Sequence, residues 1–148
     1  MNILLVGEYS RLHNSLKEGL QQLGHHVVII GFKDGFKDYP VDFPLFHKWH
    51  SPILKKLRIG IYKLTGFDVN SYFTYRQFVG YQKELKQFDI VQLINEHPFY
   101  CTFNYEKKML QYLFDNNKKV FLMCCGTDYL TVDYYFKKPT FKSLLLPY

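Results

Sequence analysis

Asn2-Ile3-Leu4-Leu5-Val6-Gly7-Glu8-Tyr9-Ser10 opens the stretch that decides the fold, which continues through Leu12, Leu16, Leu20 and Leu23 to Gly24-His25-His26 and Val27-Val28-Ile29-Ile30. The runs Ile3 to Val6 and Val27 to Ile30 are short and apolar throughout, the pattern of strands buried on both faces of a parallel sheet. Between them, Leu12, Leu16, Leu20 and Leu23 recur at helical spacing, while Arg11, Asn14, Lys17, Glu18, Gln21 and Gln22 fall away from that stripe. Gly24 follows the last apolar position, where a residue able to adopt positive φ closes a helix. Strand, loop, helix, strand is the unit with which an α/β domain opens a ligand crevice.

Further along, the same alternation returns. Gly31 to Pro52 carries the turn chemistry of Lys33-Asp34-Gly35, Asp38-Tyr39-Pro40 and Phe43-Pro44 and reads as one long loop. A helix is expected from about Ser71 to Lys86, a strand over Ile90 to Ile94, a helix over Tyr105 to Asn116 and a strand over Val120 to Cys124. The expected fold is therefore α/β, a Rossmann-like parallel sheet with helices on both faces, forming a single domain over residues 1–148. Such sheets bind ligands at the carboxyl ends of their strands, which brings Glu8-Tyr9-Ser10-Arg11, Phe32-Lys33-Asp34, Asn95-Glu96-His97 and Gly126-Thr127-Asp128 to one edge.

Composition narrows the function classes without choosing among them. The formal net charge of +6 favours phosphate, nucleic acid or an anionic surface, and the 19% aromatic share suits stacking, an interface or a core equally. Cys101, Cys124 and Cys125 lack Cys-x-x-Cys spacing and read as free buried thiols. His47 and His50 have no acidic or cysteine partner nearby, so no metal is expected. No apolar segment is long enough to span a bilayer, and Met1-Asn2-Ile3-Leu4 lacks a secretory signal's basic head, so a cytoplasmic location is expected. Gly-x-Gly-x-x-Gly is missing after the first strand, which counts against dinucleotide binding.

Ser51-Pro52 resembles a helix start, and Ile53, Leu57, Ile61 and Leu64 follow at helical spacing with Lys55, Lys56, Arg58 and Lys63 on the other side. Phe46 and Trp49 stand just before this helix. Two readings fit: a helix packed on its own sheet with a solvated basic face, or a basic amphipathic helix lying on anionic lipid headgroups. The second makes Trp49, Lys55, Lys56, Arg58 and Lys63 membrane-facing candidates.

Asn2-Ile3-Leu4-Leu5-Val6-Gly7, the turn Leu23-Gly24-His25 before Val27-Val28, and Phe88-Asp89-Ile90-Val91 together resemble the N-terminal half of GT-B glycosyltransferases, family 4 type, which build bacterial surface polysaccharides. In that family an acceptor-side domain faces a donor-binding domain across a cleft. The resemblance therefore implies a truncated enzyme half, lacking the C-terminal donor-binding domain and inactive in sugar transfer without it. It implies that Gly7 and Glu8 approach the donor phosphates. It also implies acceptor contacts from Glu8, Tyr9, Arg11, His13, Asn95, Glu96, His97, Thr127 and Asp128. No catalytic base is assigned, and no cofactor is expected. The implied partners are a nucleotide-sugar and a glycan or lipid-linked acceptor, with no nucleic acid. The expected setting is the cytoplasm, extending to the inner face of the membrane. Simpler roles compete at single positions: Asp128 as a turn or cap residue, and Glu96-His97-Pro98 as a plain turn. The competing function is a non-catalytic Rossmann-like module that docks on an anionic membrane or a protein partner.

Overall fold

In the computed structural model, which describes residues 1–33, 39–49, 51–123 and 129–137, the opening apolar run is β1 (Asn2–Val6). It is the middle strand of a five-stranded sheet that also contains β2 (His26–Phe32), β3 (Phe43–Leu45), β4 (Ile90–Leu93) and β5 (Val120–Leu122). The spatial order is β3-β2-β1-β4-β5, and every pairing is parallel. Register places Ile3 between Val27 and Ile90, and Val6 between Ile30 and Leu93.

Both faces of β1 are buried, which is why its sequence is continuously apolar. Ile3 and Leu5 join Val27 and Ile29 on one face, covered by Leu16 and Leu20 of α1 (Leu12–Gln22). On the other face Leu4 and Val6 meet Phe78 of the helix at Val69–Tyr81 and Met109 and Leu113 of the helix at Phe103–Asn116. In chain order these helices are α3 and α4, preceded by α2 (Pro52–Thr65) and followed by α5 (Tyr129–Lys137). Helices thus cover both faces of an α/β, Rossmann-like sheet, with β2 and β4 on either side of β1 at the point where strand order reverses. Among the described residues no helix is long and apolar enough to cross a membrane.

Several local expectations shift. The span from Gly31 to Pro52 is not all loop: β2 runs on to Phe32, and Phe43–Leu45 adds the edge strand β3. Pro44 is tolerated there because an edge strand can lack one ladder donor. Asp42 fastens this strand, accepting the Ile29 amide at 2.7 Å and both bonds from the Lys17 ammonium. Leu23 is 73% exposed because α1 stops at Gln22, whereas His13 and Asn14, the latter off the apolar stripe, are buried. The helix from Val69 ends at Tyr81 rather than Lys86, and a turn then drops Leu85 into the core. The next helix starts at Phe103, two residues before Tyr105, and β5 ends at Leu122.

Gly7 ends β1 with φ +90, and a Cβ there would stand 2.4 Å from Ile94 Cγ2. Gly24 also has positive φ, +82, but its missing Cβ faces open space. Gly7→Ala is expected to cost about 3 kcal/mol in urea denaturation, and Gly24→Ala about 1 kcal/mol, because only the first adds overpacking to backbone strain. Equal losses would contradict the pinched exit from β1.

Candidate functional site

The carboxyl ends of β1 and β4 flank the point where strand order reverses, and the loop leaving β1 is shaped by backbone contact. The Gly7 amide donates to the Ile30 carbonyl at 2.8 Å, and a Cβ on Gly31 would press on Gly7 Cα at 3.1 Å. Glu8 is then turned inward. Its buried Oε2 accepts the Asn14 backbone amide at 2.8 Å and the Asn14 side-chain amide at 2.5 Å. A helix N-terminus presents unpaired amides and partial positive charge, so it attracts an anion. Here the chain's own carboxylate takes the amide that a bound phosphate would use.

His13 Nδ1 donates to the Gly7 carbonyl at 2.6 Å, and its ring is fully buried. Burial pushes the imidazole below its usual range, against smaller opposing effects of the Gly7 carbonyl and the Glu8 charge. The neutral ring with its proton on Nδ1 fits this arrangement. Among the described residues, His13 Nε2 and Glu8 Oε1 are buried without a hydrogen-bond partner. Arg11 takes a different course: its guanidinium pairs with Glu18 at 2.8 Å, two helical turns along the outside of α1, and both side chains are more than half exposed.

Aromatic rings join the strand exits. Tyr9 meets Tyr100 edge-on at 6.0 Å, and Tyr100 lies 6.0 Å from Phe32, which stacks on His47 at 4.1 Å. These rings come from beyond β1, β4 and β3 and from the last residue of β2. Ser10, Arg11 and Tyr100 also hold positive φ, an uncommon conformation for residues with a side chain and one that concentrates at functional sites. Tyr100 was not legible as a site residue, Phe32 was legible only as part of a loop that topology brings to this edge, and His47 was legible only as an unlikely metal ligand. Their one local signal is an aromatic residue at or just past a strand end.

The loop after β4 supplies polar groups. Asn95 Oδ1 accepts the His97 amide at 3.0 Å, and Glu96 Oε1 accepts the Tyr129 amide at 3.3 Å, tying this loop to the start of α5. Glu96 and exposed His97 share a cleft of about 230 Å³ with Glu106, Lys107, Leu110 and Phe114. Glu106 fixes the loop's path from below by accepting the Phe99 and Cys101 amides at 3.0 and 2.8 Å. Burial pushes its carboxyl up, against those two amides and the charge of His97. Cys101 is a free thiol pushed up to about 12 by burial, so it stays protonated and is no nucleophile at neutral pH. Thr127 and Asp128 lie outside the described residues, as do His50, Cys124 and Cys125.

On the far side of Tyr100 a groove of about 520 Å³ runs to α2, lined by Arg58, Tyr62, Lys63, Asp68 and Thr102. Trp49 packs against Phe73 at 6.3 Å, and Lys48 lies over the same ring at 5.1 Å. Lys55, Lys56 and Lys63 are exposed, and Arg58 is half-buried. The sequence-predicted residues Glu8, Tyr9, Asn95, Glu96 and His97 thus share the carboxyl edge, while Arg11 is drawn down α1. Among the described residues no group of three His, Cys, Asp or Glu side chains could hold a metal ion. No family model matches the chain, and comparisons with curated proteins and with solved structures return no match.

Glu8→Ala leaves the Asn14 donors without their acceptor and is expected to cost about 2 kcal/mol in urea denaturation, with Glu8→Gln retaining most of the stability. A full loss in both variants would contradict the cap. His13 gives a signed pH effect. Its folded-state proton affinity is depressed, so as pH falls below the ordinary imidazole value of about 6.5 the unfolded chain takes up a proton that the native state resists. Stability is present above that point and is lost below it. His13→Asn keeps a donor to Gly7 without the titration, so its stability change between about pH 7.5 and about pH 5.5 should be smaller than the parent's. Identical pH slopes would contradict this assignment.

Proposed function

We propose that this chain is the acceptor-side half of a glycosyltransferase, resembling GT-B enzymes of the family 4 type. A donor-binding half would stand across the rim and supply the nucleotide-sugar, and the acceptor would be a glycan or a lipid-linked precursor. The observation that carries this reading is the meeting of Tyr9, Phe32 and Tyr100 at the carboxyl edge, beside the polar loop Asn95-Glu96-His97.

A pyranose has apolar C–H faces and a hydroxyl perimeter, so its recognition needs an aromatic surface next to hydrogen-bonding groups. The rim offers the first through Tyr9 and Tyr100 and the second through Glu96 and His97. An exposed imidazole or a carboxylate at that position can orient a hydroxyl or accept its proton as it attacks. The Glu8 carboxylate at the start of α1 disfavours a phosphate there, which supports a reading in which the opposite half holds the donor's diphosphate. Acceptor binding is then the part of the reaction that this chain performs by itself.

Saturation-transfer NMR with methyl glycosides of glucose, galactose and N-acetylglucosamine tests the reading on the chain alone. At least one glycoside should receive saturation with a Kd on the order of millimolar. Tyr100→Ala should remove the signal while leaving the circular dichroism spectrum unchanged, since Tyr100 is 50% exposed. No transfer to any glycoside, or undiminished transfer in the variant, would contradict it.

A further inference from the structure

We infer that α2 and its flanks form a docking face for an anionic lipid bilayer, a property that does not depend on sugar transfer. Ser51 caps the helix start by accepting the Leu54 amide at 3.3 Å, Pro52 occupies the first turn, and Gly66 closes the end with φ 70. These local signals define a helix of 14 residues, yet none of its residues is buried. A helix of that length in water ordinarily depends on packing its apolar face.

The apolar face points away from the domain. Ile53, Leu57 and Leu64 fall within about 40° of the helix circumference. They are 80%, 52% and 88% exposed, while Ile61 and Arg58, off to one side of that arc, are half-buried. Packing on the chain's own sheet, the simpler of the two expectations for this helix, would have buried that arc. Phe46, Tyr62 and Phe67 add exposed aromatic surface along the helix and at its flanks.

Charge selects the occupant. Residues 43–67 contain Lys48, Lys55, Lys56, Arg58 and Lys63 and no Asp or Glu. That single segment therefore carries five formal positive charges in a chain whose net charge is +6. Exposed Lys56 and Lys63 border one side of the apolar arc, with Lys55 further round. Their long stems can lie along the acyl boundary while the ammonium groups reach phosphate. A second copy docking through this face would set cations against cations, since a two-fold interface pairs a patch with itself. The chain's last fifteen residues hold Lys137, Lys138 and Lys142 and no acid, so they complement its charge no better. An anionic headgroup layer matches both its apolar arc and its unbroken positive charge.

The test is flotation of the full chain with vesicles of phosphatidylcholine alone or mixed with phosphatidylglycerol, in low-salt buffer. Partitioning is expected only with the anionic vesicles, together with a blue shift in the emission of Trp49, the chain's one tryptophan. Combining Lys55→Glu, Lys56→Glu and Lys63→Glu should lower the partition coefficient by at least about 100-fold. Leu57→Asp with Leu64→Asp should abolish it at unchanged circular dichroism, because both leucines are solvent-exposed in the free chain. Failure of the parent chain to float with anionic vesicles would overturn the inference, as would charge-reversed variants that float like the parent. Concentration-dependent dimerisation lost in the leucine double variant would also overturn it, by assigning the face to a second copy.

Discussion

The structure depends on how the chain leaves β1. Gly7 is held at both ends of its peptide, its amide by the Ile30 carbonyl and its carbonyl by His13, and Ile94 fills the space that a Cβ would take. A side chain would not fit. With Gly7 seated, Glu8 is directed under the first turn of α1, where its carboxylate satisfies Asn14 and completes the helix terminus. One residue later Tyr9 emerges at the carboxyl edge. Strand end, helix start and first rim residue are thus one connected arrangement rather than three separate features.

From that point the remaining exits assemble through rings rather than through backbone pairing. Tyr100 touches both Tyr9 and Phe32, and Phe32 carries His47, so loops far apart in sequence share one aromatic surface. Glu106 holds the Phe99 and Cys101 amides from below, which sets the path that presents Tyr100. A buried carboxylate fixes a loop at each of the two exits: Glu8 beside β1 and Glu106 beside β4. Beyond the rim, α2 is formed by its caps and leaves the arc of Ile53, Leu57 and Leu64 exposed, so the same molecule presents an aromatic edge and an apolar basic helix.

The sheet was legible because its central strands are buried on both faces and so read as uninterrupted apolar runs, Ile3 to Val6 and Val27 to Ile30. The edge strand at Phe43–Leu45 was not, since three residues containing a proline carry no periodicity. Burial of His13 and Asn14 was hidden for a different reason. Their partners are Gly7 and Glu8 upstream, and a hydrogen bond across a loop leaves no mark on helical spacing. Glu8, Tyr9, Asn95, Glu96 and His97 were placed at one edge by topology alone. The Phe32 loop was placed there too, but its ring contact with Tyr100, and Tyr100 itself, were missed because ring contacts between loops depend on tertiary geometry. For α2, spacing revealed the amphipathic pattern but could not tell which side faces the domain.

Amide chemical-shift mapping during titration with a bound methyl glycoside tests the single recognition rim most directly. A rim formed by the strand exits predicts that perturbed amides cluster together at Tyr9, Phe32, His97 and Tyr100, with the outer surfaces of α1 and α4 unchanged. Perturbations confined to one loop, or scattered over helix surfaces away from the carboxyl edge, would contradict it.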